Sequence, residues 1–442
     1  MRNRLLVLIM TVMVLLSVEA APAFAAEGSS DKPDLMAQAA LLVDVKTGKV
    51  LYEKNKSKEM YPASLTKMMT CLVVLDHLKL DQKVTVAPEA VFPVGNNINL
   101  KAGEVLTVEE LLNALMIYSS NDAALALAIE TSGSVEAFAE EMNKKAKEIG
   151  CKHTNYINPN GFTNEPIHHT TAEDLVKIAS YGLKNETFSS IVRKATYTVP
   201  KTNKNKARPV ETTNLLLRKG KYHYDGVIGV KTGFMALSGY CFVGAAEKDG
   251  MTLIGVSLNS GDIERFTEVA DMFDYGFDNF KTLELVKKNE ETDNIKVKYG
   301  HNTSVPTMVP AGAYITMPRS GDESLATTEV KLKDHVEAPI KKGTKVGTLE
   351  ILEDGKKVDE TAIVIAQDVE KGGPWTALYI SDMAFYIMAG VAAVILLFII
   401  IVALKVRSVK KRRALERKRE REEMAMRIAA ERKDKEQRGW PF

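Results

Sequence analysis

From residue 383 to residue 404 the chain carries no charged side chain, and Lys405, Arg407, Lys410, Lys411, Arg412 and Arg413 follow at once. An α-helix rises 1.5 Å per residue, so these roughly 22 residues reach about 33 Å, enough to cross the hydrocarbon core of a bilayer. The basic cluster predicts a cytoplasmic C-terminus, because positive charge is retained on that side. At the other end, Arg2 and Arg4 precede an uncharged, mostly apolar run over 5–18, and Ala23-Phe24-Ala25 follows. That layout predicts a secretory signal peptide over residues 1–25, since the apolar run is short for a membrane span. Residues from about 27 to 382 are then expected outside the cell membrane, anchored by a single pass.

The remaining composition is that of a folded protein: 45% hydrophobic and 26% charged residues. A formal net charge of +2 gives no general reason for nucleic-acid binding. The tail over 405–442 holds 15 basic and 7 acidic residues, interspersed. Its default reading is a charged solvated helix; attraction of the first basic cluster to anionic lipid head groups is the sharper reading of the same residues. Cys71, Cys151 and Cys241 are an odd number in an exported chain, so no complete disulfide framework is expected. Cys71 and Cys241 sit in apolar patterns and read as buried small residues.

Two apolar runs around Thr47-Gly48 predict a hairpin near the start of the mature region. Helical periodicity dominates from 64 to about 183, as in Met68, Cys71, Leu72 and Leu75. Strand character returns over 227–230, 239–246 and 251–258, with Lys248-Asp249-Gly250 turning the last two into a hairpin. An amphipathic helix over about 262–280 closes the region. This order predicts an α/β domain over 36–280, an antiparallel sheet with a helical block inserted between its strands. Short alternating strands over 283–367 predict a small all-β domain, with 368–382 as a linker, 383–404 as the transmembrane helix and 405–442 as the cytoplasmic tail.

Three short runs carry the chemistry. Ser64 and Lys67 are three apart in a helix-like run, so amine and hydroxyl share one face. A lysine that is desolvated or crowded by a second cation loses its proton more readily and can act as a base. Ser119-Ser120-Asn121 lies between two helical stretches, where N-capping is the ordinary duty of such residues. Lys231-Thr232-Gly233 ends the strand pattern that starts at Val227. Each run alone is weak. In this order and context they match the S-x-x-K, S-x-N and K-T-G signature of β-lactamases and penicillin-binding proteins.

The chain here resembles the D-alanyl-D-alanine carboxypeptidases, the low-molecular-mass penicillin-binding proteins. Residues 61–70 (YPASLTKMMT), 119–124 (SSNDAA), 158–161 (NPNG), 168–175 (HHTTAEDL) and 229–234 (GVKTGF) carry the resemblance, which covers about 36–280. The stretch with Ala338-Pro339 is similar, more loosely, to that family's C-terminal domain. Met235 departs from the family, which commonly has a hydroxyl residue there. The resemblance implies a β-lactamase/transpeptidase-like fold and hydrolysis of the bond between two terminal D-alanines of cell-wall peptides. It implies Ser64 as nucleophile, Lys67 as base and Ser119 as proton relay. Asn121 would bind the substrate amide and hold Lys67. Lys231 and Thr232 would receive the free carboxylate, Gly233 would admit the substrate strand, and the N–H groups of Ser64 and Phe234 would form the oxyanion hole. Neither a metal nor a cofactor is implied; β-lactams are expected as covalent inhibitors.

Three other readings compete. A β-lactamase would want a deacylating Glu after the second motif, but Glu109-Glu110-Leu111-Leu112-Asn113 precedes it. A Ser-His-Asp hydrolase would use His168 or His169, whose context favours loop or capping duty. A non-catalytic wall-binding scaffold or sensor would have no need of three intact motifs.

Overall fold

The computed structural model describes residues 31–91 and 93–439. The expected signal peptide lies outside the described residues. The chain divides into two compact units, one running to Glu284 and taking in Tyr314–Ser324, the other formed by Leu285–Ala313 and everything from Leu325.

In the first unit β1 (Ala39–Asp44) and β2 (Val50–Lys54) form the expected hairpin, followed by a helical block. The block comprises α1 (Lys67–His77), α2 (Val108–Ile117), α3 (Asn121–Ser132), α4 (Val135–Ile149), α5 (Ala172–Leu183) and α6 (Glu186–Val192). The chain then returns to the sheet as β3 (Val227–Met235), β4 (Gly239–Lys248) and β5 (Met251–Ser260), and closes with α7 (Glu264–Asn279). The strand order is β2-β1-β5-β4-β3, antiparallel throughout, so strands from both ends of the segment share one sheet. Asp249 and Gly250, both at positive φ, make the tight turn between β4 and β5.

Both faces of this sheet are covered, which is why β1 reads as an unbroken apolar run. Ala39, Leu41 and Val43 point into the helical block, with Cys241, Val243, Ile254 and Val256 beside them. Ala40 and Leu42 point the other way, against Phe242, Leu253 and the Phe266, Val269 and Phe273 face of α7. Alternation along each strand thus feeds two cores. Cys71 and Cys241 are buried, as their patterns predicted, and all three cysteines are free.

The second unit is the expected all-β domain. Its strands β6 (Glu290–Lys298), β7 (Ser304–Val309), β8 (Ala326–Leu332), β9 (Val336–Glu337), β10 (Lys345–Glu353) and β11 (Lys356–Ile365) form one sheet in the order β8-β10-β11-β7-β6-β9. Ile295, Val297, Val305, Val346, Leu349, Ile351, Ile363 and Ile365 fill its core. Residues 368–382 are not slack. Val369 bridges to Ile340, Lys371 bridges to Gly300, and Pro374–Leu378 forms a 3₁₀ turn. One helix, α8, then runs unbroken from Asp382 to Gln437, joining the apolar stretch and the charged tail. It is long and apolar enough to cross a membrane.

Candidate active site

Ser64 does not start an α-helix. It lies in a 3₁₀ turn, Ala63–Thr66, that feeds directly into α1 at Lys67. Ala63 at φ 47 and the Leu65 N–H to Pro62 carbonyl bond make the bend that turns Ser64 toward a cleft. The three-residue spacing still brings amine and hydroxyl together: Lys67 Nζ lies 2.7 Å from Ser64 Oγ. The same Nζ donates to the Asn160 carbonyl at 3.0 Å.

Lys67 is fully buried, and burial depresses its pKa well below the ordinary lysine value. The neighbouring Lys231 charge pushes in the same direction, while Asp122 opposes it. Lys231 is buried too; burial and then the Arg265 charge bring its pKa down to about 7. Its Nζ donates to Ser119 Oγ at 2.9 Å and to the Thr232 carbonyl at 2.9 Å. Each of the two motif serines is therefore held by a different buried lysine.

The second motif is shaped by Asp122. Its carboxylate accepts the Leu100 N–H at 2.9 Å, the Ala123 N–H at 2.9 Å and the Ser120 hydroxyl. Ser119, at φ 66 just before α3, is turned out toward the cleft. Asn121 Nδ2 donates to the Val94 carbonyl, and its buried Oδ1 finds no partner among the described residues. The expected contact between Asn121 and Lys67 is absent; the Asn160 carbonyl stands in its place.

The third motif lies on β3, the edge strand of the sheet. Close contact with the nucleophile turn explains Gly233: a Cβ there would lie 3.0 Å from the Pro62 carbonyl oxygen and 3.3 Å from Ala63 Cβ. Thr232 is buried, with its hydroxyl 2.5 Å from that of Thr213. Phe234 is exposed and stacks on Tyr240, ring centres 4.2 Å apart. Met235 is buried, and its N–H donates to Ser238 Oγ at 2.9 Å.

These residues line one cleft of about 370 Å³, with Ser64, Ser119, Asn121, Thr232, Gly233 and Phe234 at its wall. The two lysines stand immediately behind the serines.

Two family models match the chain in succession: D-alanyl-D-alanine carboxypeptidase over residues 26–262, and the C-terminal domain of penicillin-binding protein 5 over 280–371. The D-alanyl-D-alanine carboxypeptidase DacF of Bacillus subtilis is 35% identical over 369 residues, 81% of this chain and 93% of that one. The chain belongs to the D-alanyl-D-alanine carboxypeptidase family. The DacC carboxypeptidase of Escherichia coli is 32% identical, over 79% of this chain and 88% of that one. Among solved structures, penicillin-binding protein 5 from Haemophilus influenzae superposes with a TM-score of 0.66 at 29% identity, covering 77% of this chain and 99% of that one.

One residue of this family member's cleft, Arg265, carried no signal in the motifs. Arg265, from the first turn of α7, donates to the Gly233 carbonyl at 3.1 Å and packs beside the Tyr240 ring. It shares the buried register of Val269 and Met272, and a cation in an apolar register was a clue. His168 is buried beneath the nucleophile turn. Its Nδ1 accepts the Ile157 N–H at 3.1 Å, so Nε2 carries the hydrogen and donates to Thr66 Oγ1 at 2.9 Å. His168 therefore braces the turn. Glu110 caps α2 reciprocally with Thr107, which accounts for the Glu109–Asn113 match as a helix start.

Proposed function

We propose that the chain is a serine D,D-carboxypeptidase that trims the terminal D-alanine from peptidoglycan stem pentapeptides through an acyl-enzyme on Ser64. The observation that carries this is the 2.7 Å approach of a buried, pKa-depressed Lys67 to the Ser64 hydroxyl. A neutral amine with one N–H engaged by the Asn160 carbonyl has its lone pair free for the serine proton.

Ser64 Oγ then bonds to the carbonyl between the two D-alanines while its proton passes to Lys67. The C–N bond breaks, and Ser119 relays that proton to the leaving amine. Water attacks the resulting ester and gives a proton to Lys67; the ester C–O bond breaks, the shortened peptide leaves as its acid, and Lys67 returns the proton to Ser64 Oγ. The backbone N–H groups of Ser64 and Phe234 receive the developing oxyanion. Lys231 and Thr232 hold the free carboxylate, through charge and a hydroxyl donor. Asn121 offers its free Oδ1 to the substrate amide. The edge position of β3 lets the peptide lie alongside it. β-Lactams enter by the same acylation and leave slowly.

The apolar start of α8 supports a membrane-anchored enzyme acting at the wall, with the basic run from Lys405 on the cytoplasmic side and the signal peptide removed. The test is incubation of the purified protein with a labelled penicillin and with a peptide ending in D-Ala-D-Ala, alongside Ser64→Ala. Stable Ser64-dependent labelling and release of free D-alanine are expected. Rapid destruction of the drug would mark a β-lactamase instead, and a wild-type protein that takes no label would overturn the proposal.

A further inference from the structure

The base of the second unit, where α8 leaves it, is an anchored aromatic cluster. Asp382, the first residue of α8, accepts the Gly373 N–H at 2.9 Å, the Trp375 indole N–H at 2.6 Å and a hydrogen bond from His301 Nδ1 at 2.8 Å. His301 sits between β6 and β7, so the helix start is tied to the sheet as well as to the preceding turn. A carboxylate at a helix N-terminus is also favoured by the helix dipole. The Trp375 ring lies flat against Phe385, with ring centres 3.7 Å apart and planes within 6°, and edge-on to Tyr386.

This geometry removes the freedom a linker would supply. The uncharged stretch begins immediately after Asp382, and Phe385 and Tyr386 lie only about 4.5–6 Å along the helix from Asp382. Leu378, Tyr379, Met383 and Tyr386 are exposed around the same point, Leu378 at 75% and Met383 at 72%. Exposed leucine and methionine beside tyrosine and tryptophan, each with a polar edge, suit the boundary between acyl chains and head groups.

We infer that Trp375, Tyr379, Tyr386, Leu378 and Met383 form an interfacial collar that seats the β-rich unit directly on the bilayer, with its occupant the head-group and glycerol layer of the leaflet α8 enters. Continuity with the apolar helix identifies that occupant: a bilayer that holds 383–404 meets the collar at its surface. Asp382 fixes the seat by binding turn, sheet and helix together. The inference rests on the reading of 383–404 as a membrane span, and the experiment separates the two.

The chain contains two tryptophans, so Trp440→Phe leaves Trp375 as the only one. That protein is reconstituted in phosphatidylcholine–phosphatidylglycerol vesicles containing lipid brominated either near the ester carbonyl or near the chain end. The seat predicts that shallow bromines quench Trp375 at least about twofold more than deep ones, with little quenching by aqueous iodide. A control chain carrying Trp375→Phe, Trp440→Phe and Leu396→Trp reports the span, and is expected to be quenched best by deep bromines. Asp382→Ala in the Trp440→Phe protein is expected to raise iodide quenching of Trp375 while leaving the chain in the vesicle fraction. If the control is quenched deeply while Trp375 is open to iodide and indifferent to bromines, the seat is wrong and the span stands. If the control is not quenched by deep bromines, both fail.

Discussion

Thr213 Oγ1 stands 2.5 Å from Thr232 Oγ1 at the wall of the cleft, close enough that one hydroxyl must donate to the other. With a carboxylate bound, Thr213 can donate to Thr232 while Thr232 donates to the ligand, a chain in which each bond polarises the next. Thr213→Val breaks it without touching Ser64 or Lys67. The KM for a D-Ala-D-Ala peptide is expected to rise roughly five- to tenfold, about 1 kcal/mol, with kcat little changed. Thr213→Ser should restore the KM. Steady-state kinetics check this, and an unchanged KM in Thr213→Val would remove Thr213 from carboxylate recognition.

On the proposed mechanism, the buried lysines set opposite limbs of the pH profile. Lys67 must be neutral to accept the Ser64 proton, so kcat/KM should rise with pH through its depressed pKa. Lys231 must be charged to hold a carboxylate, so kcat/KM should fall as pH rises through about 7. The limbs belong to the interacting pair, and the maximum lies between them. Arg265→Leu removes a cationic neighbour of Lys231 and is expected to move the falling limb toward alkaline pH. A falling limb that stays in place would show that Arg265 does not reach Lys231 electrostatically.

His168 makes the fold sensitive to acid. Burial, assisted by His169, lowers its pKa from 6.5 to about 4, so the unfolded chain binds this proton first. Its neutral form contributes fully above about pH 6.5, and the contribution is lost as pH falls toward 4, about 3 kcal/mol over that window. Thermal melts at pH 7 and 4.5 should show His168→Gln losing less of its Tm on acidification than the parent. Parallel losses in the two proteins would count against the assignment.

Gly161 sits under the nucleophile turn at φ 81, where an added Cβ would be 1.8 Å from the Ala63 carbonyl oxygen and 2.7 Å from Thr66 Oγ1. Gly161→Ala forces the Asn160 carbonyl away from Lys67. It is expected to cost about 3 kcal/mol of stability and to slow penicillin acylation roughly tenfold or more. Gly250→Ala shares the positive φ but has open space around it, and should cost about 1 kcal/mol with normal acylation. Equal effects of the two substitutions in melts and acylation assays would contradict this packing argument.

The lysine-serine pairing at 64 and 67 was legible because a spacing of three survives a change from α-helix to 3₁₀ turn. Lys231-Thr232-Gly233 was legible as belonging to a strand end, but the strand runs on to Met235 and its edge position came only with the sheet order. The partner of Lys67 was not legible, because a backbone carbonyl such as that of Asn160 has no residue-type signature. Arg265 and Thr213 reach the cleft from elements remote in sequence, so only the fold brings them in. Residues 368–382 looked like a linker for want of periodicity, yet Asp382, Trp375 and His301 order them through side-chain bonds.

The unbroken course of α8 has a mechanical consequence. Its 33 residues beyond the apolar stretch, 405–437, extend about 50 Å, several times the roughly 8 Å over which surface charge is felt. On the proposed reading of 383–404 as a membrane span, the far end lies outside the electrostatic reach of the lipid surface and behaves as the tip of a lever. A change of 10° in helix tilt, well within the range that bilayer thickness imposes, moves that tip by about 9 Å.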